Sequence, residues 1–154
     1  MPNRRQFLVA SAAGVLAPLA FSERLFALAA NPVITVYKDP SCGCCTKWIE
    51  HLRGAGLHPV VHDRSDMDAL KDSLGVPAAL RSCHTAVAGR YVIEGHVPAA
   101  DVKRLVAAAP KGIVGIAAPG MPAGSPGMEV PGRADRYDVI AFAADGTTKL
   151  YAHH

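Results

Sequence analysis

Three thiols stand within four residues, at Cys42, Cys44 and Cys45, and the residues around them leave the local chain little freedom. Residues 33–37 form a β-branched run after Pro32, closed by Asp39-Pro40-Ser41, which is the pattern of a buried strand entering a turn. From Cys44 onward, Cys45, Trp48, Ile49, Leu52 and Ala55 recur at helical spacing. Lys47, Glu50 and Arg53 take the other side, and Gly54 and Gly56 end the run. The thiols therefore sit where a strand hands over to a helix N-terminus. There, free N–H groups and the positive end of the helix dipole lower a thiol's pKa. Three readings compete for them: ligands to a soft metal, a redox dithiol, and a structural disulfide. Bridging adjacent Cys44 and Cys45 demands a strained peptide geometry, so at most one easy local bond, Cys42 to Cys45, is available.

Further along, residues 60–62 make a second short strand. Residues 66–71 begin a short helix with acids in its first turn, and Gly75-Val76-Pro77 stops it. Residues 79–87 and 90–94 read as two strands joined at Ala88-Gly89, a hairpin that places Cys83 on the first. Pro98 opens a last helix that closes near Pro110. Residues 111–133 break the pattern, because their Gly/Pro/Met-rich stretch 118–129 cannot be regular structure. A long loop in a small domain is usually functional or disordered. Residues 137–142 and 147–151, around Asp145-Gly146, form a C-terminal hairpin. The order β-α-β-α-β-β-α predicts an α/β fold: a thioredoxin-like mixed sheet flanked by helices, with the cysteines after the first strand and Pro77 opening the third. Fold alone does not imply function.

In such a fold the strand after Pro77 runs beside the strand–helix junction, so Cys83 is expected to complete the site. Alternation along a strand sends Cys83 and His84 to opposite faces unless a bulge intervenes, which leaves His84 evenly placed between ligand and surface histidine. His96 lies in a turn before a helix, free to aim at a neighbour, and is a second candidate ligand. His51, His58 and His62 read as solvated, and His153-His154 as an adventitious metal trap. Met121 and Met128 bring soft thioethers on a loop with little helix or strand to pack against, whereas Met67 reads as core. Thiolates with nearby Met and His favour Cu(I) over hard cations, with zinc as the alternative for a Cys/His set.

The chain opens with Arg4-Arg5-Gln6-Phe7-Leu8 and an apolar run to about Ala20, too short to span a bilayer. The paired arginines are those of a twin-arginine-like export signal, and Ala27-Leu28-Ala29 supplies a cleavage pattern, although Glu23 and Arg24 intrude before it. The expected organisation is a leader, 1–29, and one domain, 30–154, exported to the periplasm. Arg4, Arg5, Arg24 and Glu23 place a net +2 of the chain's formal +3 in the leader. The remainder is close to neutral and carries no argument for nucleic acid. Without a second long apolar stretch, no membrane attachment is expected after processing.

Taken together, Cys42-Gly43-Cys44-Cys45 with Trp48 and His51-Leu52, Gly75-Val76-Pro77, Ser82-Cys83-His84-Thr85-Ala86, Glu94-Gly95-His96-Val97-Pro98-Ala99 and the Met121 to Met128 stretch resemble the CopG-type copper-resistance proteins over residues 33–129. The resemblance implies a thioredoxin-like fold holding a cysteine-bridged, multinuclear copper site that handles Cu(I) and Cu(II) during copper stress. Carried over by position, the bridging thiolates are Cys42, Cys44, Cys45 and Cys83, with the Met and His assignments transferring less directly. The expected function is periplasmic copper binding for resistance or homeostasis, with copper ions and copper-efflux or other periplasmic copper-handling proteins as partners. A thioredoxin-like thiol-disulfide oxidoreductase and a copper chaperone are the alternatives; storage, delivery and redox conversion, the last an enzymatic activity, stay open.

Replacing Arg4 and Arg5 with lysine is expected to keep the protein out of the cell envelope, read by cell fractionation. Unchanged delivery in a strain lacking the twin-arginine pathway would contradict that route.

Overall fold

The computed structural model describes residues 33–154; the expected leader, with its expected boundary at residues 29 and 30, lies outside the described residues. In chain order the elements are β1 (Ile34–Lys38), α1 (Gly43–Gly54), β2 (Pro59–Asp63), α2 (Met67–Ser73), a 3-10 turn (Ala78–Leu80), β3 (His84–Ala88), β4 (Tyr91–Gly95), α3 (Ala99–Ala108), β5 (Gly115–Ala118), β6 (Asp138–Phe142) and β7 (Thr148–His153). Seven strands form one mixed sheet in the order β2-β1-β3-β4-β5-β6-β7. The β1–β2 and β4–β5 pairs are parallel, as their helical crossovers α1 and α3 require, and the other four are antiparallel. The order of the first four strands and three helices is compatible with a thioredoxin-like arrangement.

Side-chain alternation divides the sheet into two buried faces. Ile34, Val36, Ala86, Ile93, Ile116, Val139 and Ala141 meet Trp48, Ile49 and Leu52 of α1 and Val102 and Leu105 of α3 in one core. Val92, Ala117 and Phe142 point the other way, onto Val76 and Leu80 after α2. The Trp48 indole N–H donates to the Val97 carbonyl at 2.8 Å, tying the buried stripe of α1 to the segment before α3.

Four expectations need correction. Residues 79 and 80 belong to the 3-10 turn and not to a strand, so β3 starts at His84 and Cys83 lies just ahead of it. Pro77, with an extended backbone, caps that turn instead of opening a strand. The irregular span 111–133 contains β5, whose residues are buried on both faces and so lack the polar alternation that marks a half-exposed strand. Met67 opens α2 half-buried and outside both cores. Among the described residues, no helix is long and apolar enough to cross a membrane.

Leu105 is fully buried in the larger core, whereas Leu150 of β7 is about half exposed. Leu105→Ala should lower the unfolding free energy by about 2–5 kcal/mol, and Leu150→Ala by no more than about 0.5 kcal/mol. Urea denaturation measures both, and equal effects would contradict this placement of α3.

Candidate metal centre

Two chain segments 39 residues apart make the centre. β1 ends at Lys38, and the Asp39 carboxylate accepts the Ser41 N–H at 2.8 Å, folding the turn that delivers Cys42 as the N-cap of α1. β3 pairs antiparallel with β1, placing His84 opposite Lys38, so the residue before β3 arrives beside the residues after β1. The Sγ atoms of Cys42, Cys44, Cys45 and Cys83 consequently lie within 4.8 Å of one another. Cys44 Sγ is 3.5 Å from Cys42 Sγ and 3.8 Å from Cys83 Sγ. A tetrahedral ion bound at about 2.3 Å from each sulfur separates two sulfurs by about 3.8 Å, so these spacings suit a shared soft ion. Cys42 and Cys45 are joined as a disulfide, and Cys44 and Cys83 are free. Two electrons and two protons therefore separate this state from one offering four thiols.

A second triad shares Cys83 with the first group. Its sulfur lies 3.3 Å from His84 Nδ1 and 3.1 Å from His96 Nε2, and these ligand atoms too fall within 4.8 Å of one another. His96 Nδ1 lies 2.8 Å from the Pro126 carbonyl. That acceptor holds the ring proton on Nδ1 and leaves the Nε2 lone pair facing the sulfur, the arrangement in which an imidazole ligates a metal. His84 packs its ring 4.3 Å from that of Trp48 and edge-on to His96 at 4.9 Å. Its Nε2 is buried and has no hydrogen-bond partner. A buried imidazole nitrogen left without a partner carries a desolvation cost that a ligand would relieve.

These contacts overturn the surface reading of His84, which is fully buried. The opposite-face argument does not hold because Cys83 precedes the strand, where alternation does not govern its direction. His84 shares the face of Ala86 and Ala88, toward α1. His51 also departs from expectation: half-buried, it accepts the Ala99 N–H at 3.1 Å and so satisfies one of the free amides at the start of α3. His58 and His62 are exposed. His153 pairs with Asp138 at 2.6 Å and His154 with Asp101 at 2.7 Å, so each terminal imidazole already has a carboxylate partner.

The Gly/Pro/Met-rich stretch lies across α1. Gly127 has positive φ, and a side chain there would meet the Cys44 carbonyl and the Trp48 amide nitrogen at 2.8 Å, so only glycine permits this approach. Glu129 accepts the Gly127 N–H at 2.8 Å, and Met128 donates its own N–H to Ser125, closing the turn. Met128, next to Gly127, is half-buried, while Met121 is 53% exposed. Sequence reasoning missed the fully buried Glu94 and nearly buried Lys71, which pair at 2.5 Å behind Cys83. The acid at the end of an otherwise apolar strand, Tyr91–Gly95, was the available signal.

Burial sets the protonation of the centre. It pushes the Cys83 thiol up to about 12, helped by the charge and hydrogen bond of Cys44. It drives His84 well below its ordinary value, reinforced by the charges of His96 and Lys71. It also lowers His96, against the pull of the Pro126 carbonyl. The histidines are neutral at neutral pH and available as ligands.

The fold and site together define an α/β protein with a thiol-rich centre suited to a soft metal. Residues 80–128 match the family described as "Protein of unknown function, DUF411". No curated protein matches the chain. Two solved structures of Copper resistance protein copG, Form 2 and Form 1, are each 44% identical to it. The alignments cover 80% of this chain and 98% of those chains, with TM-scores of 0.76 and 0.75. The chain belongs to the CopG copper resistance protein family.

Because the folded histidines bind protons less readily than the unfolded chain, their contribution to stability is present above about pH 6.5 and lost as pH falls through their folded values. Cys83 acts in the opposite direction: its contribution is present below pH 9.0 and lost as pH rises toward about 12. Melting temperatures of metal-free protein should therefore decline on both sides, with Cys83→Ala reducing the alkaline decline. A curve flat from pH 7 to 5 would contradict the buried neutral histidines.

Proposed function

We propose that the chain is a periplasmic copper-binding protein serving copper resistance or homeostasis, with residues 1–29 as a twin-arginine-like leader and 30–154 as one domain. The observation that carries this reading is the convergence of four sulfurs from two distant segments, with Cys83 shared by a triad whose two histidines are buried. Reduction of the Cys42–Cys45 disulfide by an external dithiol, which is itself oxidised to a disulfide, frees all four sulfurs as ligands for a multinuclear, cysteine-bridged Cu(I) site. Thiolate sulfur is soft, matching Cu(I) better than hard cations, and zinc is the competing ion for a Cys/His set. Nε2 of His96, and an imidazole nitrogen of His84, extend the site from the Cys83 side. Met128 and Met121 supply weaker thioether contacts from the stretch folded over α1. Mixed sulfur and imidazole ligation suits cycling between Cu(I) and Cu(II), and with an external one-electron acceptor and donor such cycling would make the protein a copper oxidoreductase. Since the Cys83 thiol holds its proton at neutral pH, copper must displace it, and loading releases protons.

A thioredoxin-like thiol-disulfide oxidoreductase is the second reading, favoured by the Cys42–Cys45 disulfide at the start of α1. Delivery of copper to an efflux system or another periplasmic copper-handling protein is a third. Cys83 separates the first two. A dithiol enzyme completes its exchange between Cys42 and Cys45, whereas a bridged cluster needs Cys83.

Copper per chain, measured anaerobically under reducing conditions, should fall in both Cys83→Ser and Cys44→Ser while circular dichroism is unchanged. Retention against a soluble Cu(I) chelator should drop by more than the about tenfold that loss of an outer-shell partner costs. Met121→Leu with Met128→Leu should weaken retention and leave most copper bound. Full copper content in Cys83→Ser, with loss in Cys44→Ser, would restrict the site to residues 42–45.

A further inference from the structure

Cys83 must hold its sulfur against both Cys44 and His96, yet it lies on a loop between the 3-10 turn and β3, with no sheet ladder of its own. The restraint comes from one carboxylate. Glu94 Oε1 accepts the Ser82 N–H at 2.6 Å, on the residue before Cys83. Glu94 Oε2 accepts the Thr85 hydroxyl at 2.7 Å, on the residue after His84. The two oxygens thus bracket the Cys83-His84 dipeptide from the opposite face of the sheet. Lys71 completes the arrangement, donating to Glu94 Oε1 at 2.5 Å and to Thr85 Oγ1 at 2.8 Å. Ser82 is held on its other side as well: its hydroxyl donates to the Gly120 carbonyl, and its Cβ lies where a side chain on Gly95 would stand.

A fully buried ion pair is a poor way to stabilise a fold, because desolvation consumes most of the attraction and an apolar pair of similar volume often serves as well. What an apolar pair cannot supply is two directed acceptors, one on each side of a ligand. We infer that Glu94, charge-balanced by Lys71, is a positioning residue that fixes Cys83 and His84 for metal binding through Ser82 and Thr85. This rests on the copper reading for its functional meaning, while the geometry of Cys83 can be tested without metal.

Three variants separate positioning from bulk stability. Lys71→Met/Glu94→Leu removes charge and both acceptors, Lys71→Met/Glu94→Gln removes charge and keeps an amide acceptor for Ser82, and Thr85→Val removes one arm with the ion pair intact. In the metal-free protein with the Cys42–Cys45 disulfide closed, the readout is the rate at which diamide joins Cys44 to Cys83, mapped by mass spectrometry. In the reduced, copper-loaded protein it is protection of each cysteine from alkylation. The Leu variant should join Cys44 to Cys83 about tenfold more slowly and lose copper protection at Cys83 ahead of residues 42–45, by about tenfold or more. The Gln variant should stay near wild type, and Thr85→Val should fall between. Folding is checked by circular dichroism, and Thr85→Val decides if the Leu variant does not fold. Wild-type joining and protection in a folded Leu variant, or in Thr85→Val where that variant decides, would overturn the inference. If copper protects no cysteine in the wild type, the copper reading fails and the joining rates alone decide whether Glu94 positions Cys83.

Discussion

The antiparallel register of β1 against β3 governs the whole centre. With Lys38 opposite His84, the chain leaving β1 and the chain entering β3 meet at the same end of the sheet. A shift by two residues would carry Cys83 roughly 7 Å along the strand, and a shift by one would also turn His84 away from α1. The register is secured by burial: Ile34 and Val36 point into the same core as Ala86 and Ala88, beneath Trp48 and Leu52. Hydrophobic patterning thereby places sulfurs that no local motif brings together.

Around that meeting point the imidazole side of the centre is buried, while Cys42, Cys44 and Cys83 are partly exposed. Cys45, His84 and His96 are fully buried, and residue 127 closes on the backbone of Cys44 and Trp48. Burial raises the Cys83 thiol and lowers the His84 and His96 imidazoles, so the metal-free state favours a protonated Cys83 and uncharged imidazoles. A cation entering such a site replaces thiol protons, keeping charge nearly balanced. The disulfide between Cys42 and Cys45 stores two of the four sulfurs in an uncharged form until they are reduced.

What the residues disclosed in advance follows periodicity. β1 was legible as a β-branched run bounded by a turn, and α1 by its 3.6-residue period and its start beside thiols whose chemistry is distinctive. The C-terminal hairpin was legible from Asp145-Gly146 between β-rich runs. β5 was not, since Gly-Ile-Ala-Ala is small and buried on both faces. His84 was left between ligand and surface histidine because its direction depends on where β3 begins, and a 3-10 turn moved that start past Cys83. The Lys71–Glu94 pair was illegible for another reason. Lys71 resembles an ordinary solvent-facing charge in its helix, and the acid in the apolar run of β4 does not disclose a partner 23 residues away.

The proposed copper site requires metal ions bridged by sulfur at a single point of convergence. X-ray absorption at the copper edge, on protein reduced and loaded anaerobically, tests that most directly. A first shell dominated by sulfur, a minor nitrogen component from imidazole and a short copper–copper vector are expected, with the vector weakened in Cys83→Ser. A first shell of nitrogen and oxygen alone, or sulfur-bound copper with no neighbouring copper, would contradict a cysteine-bridged cluster.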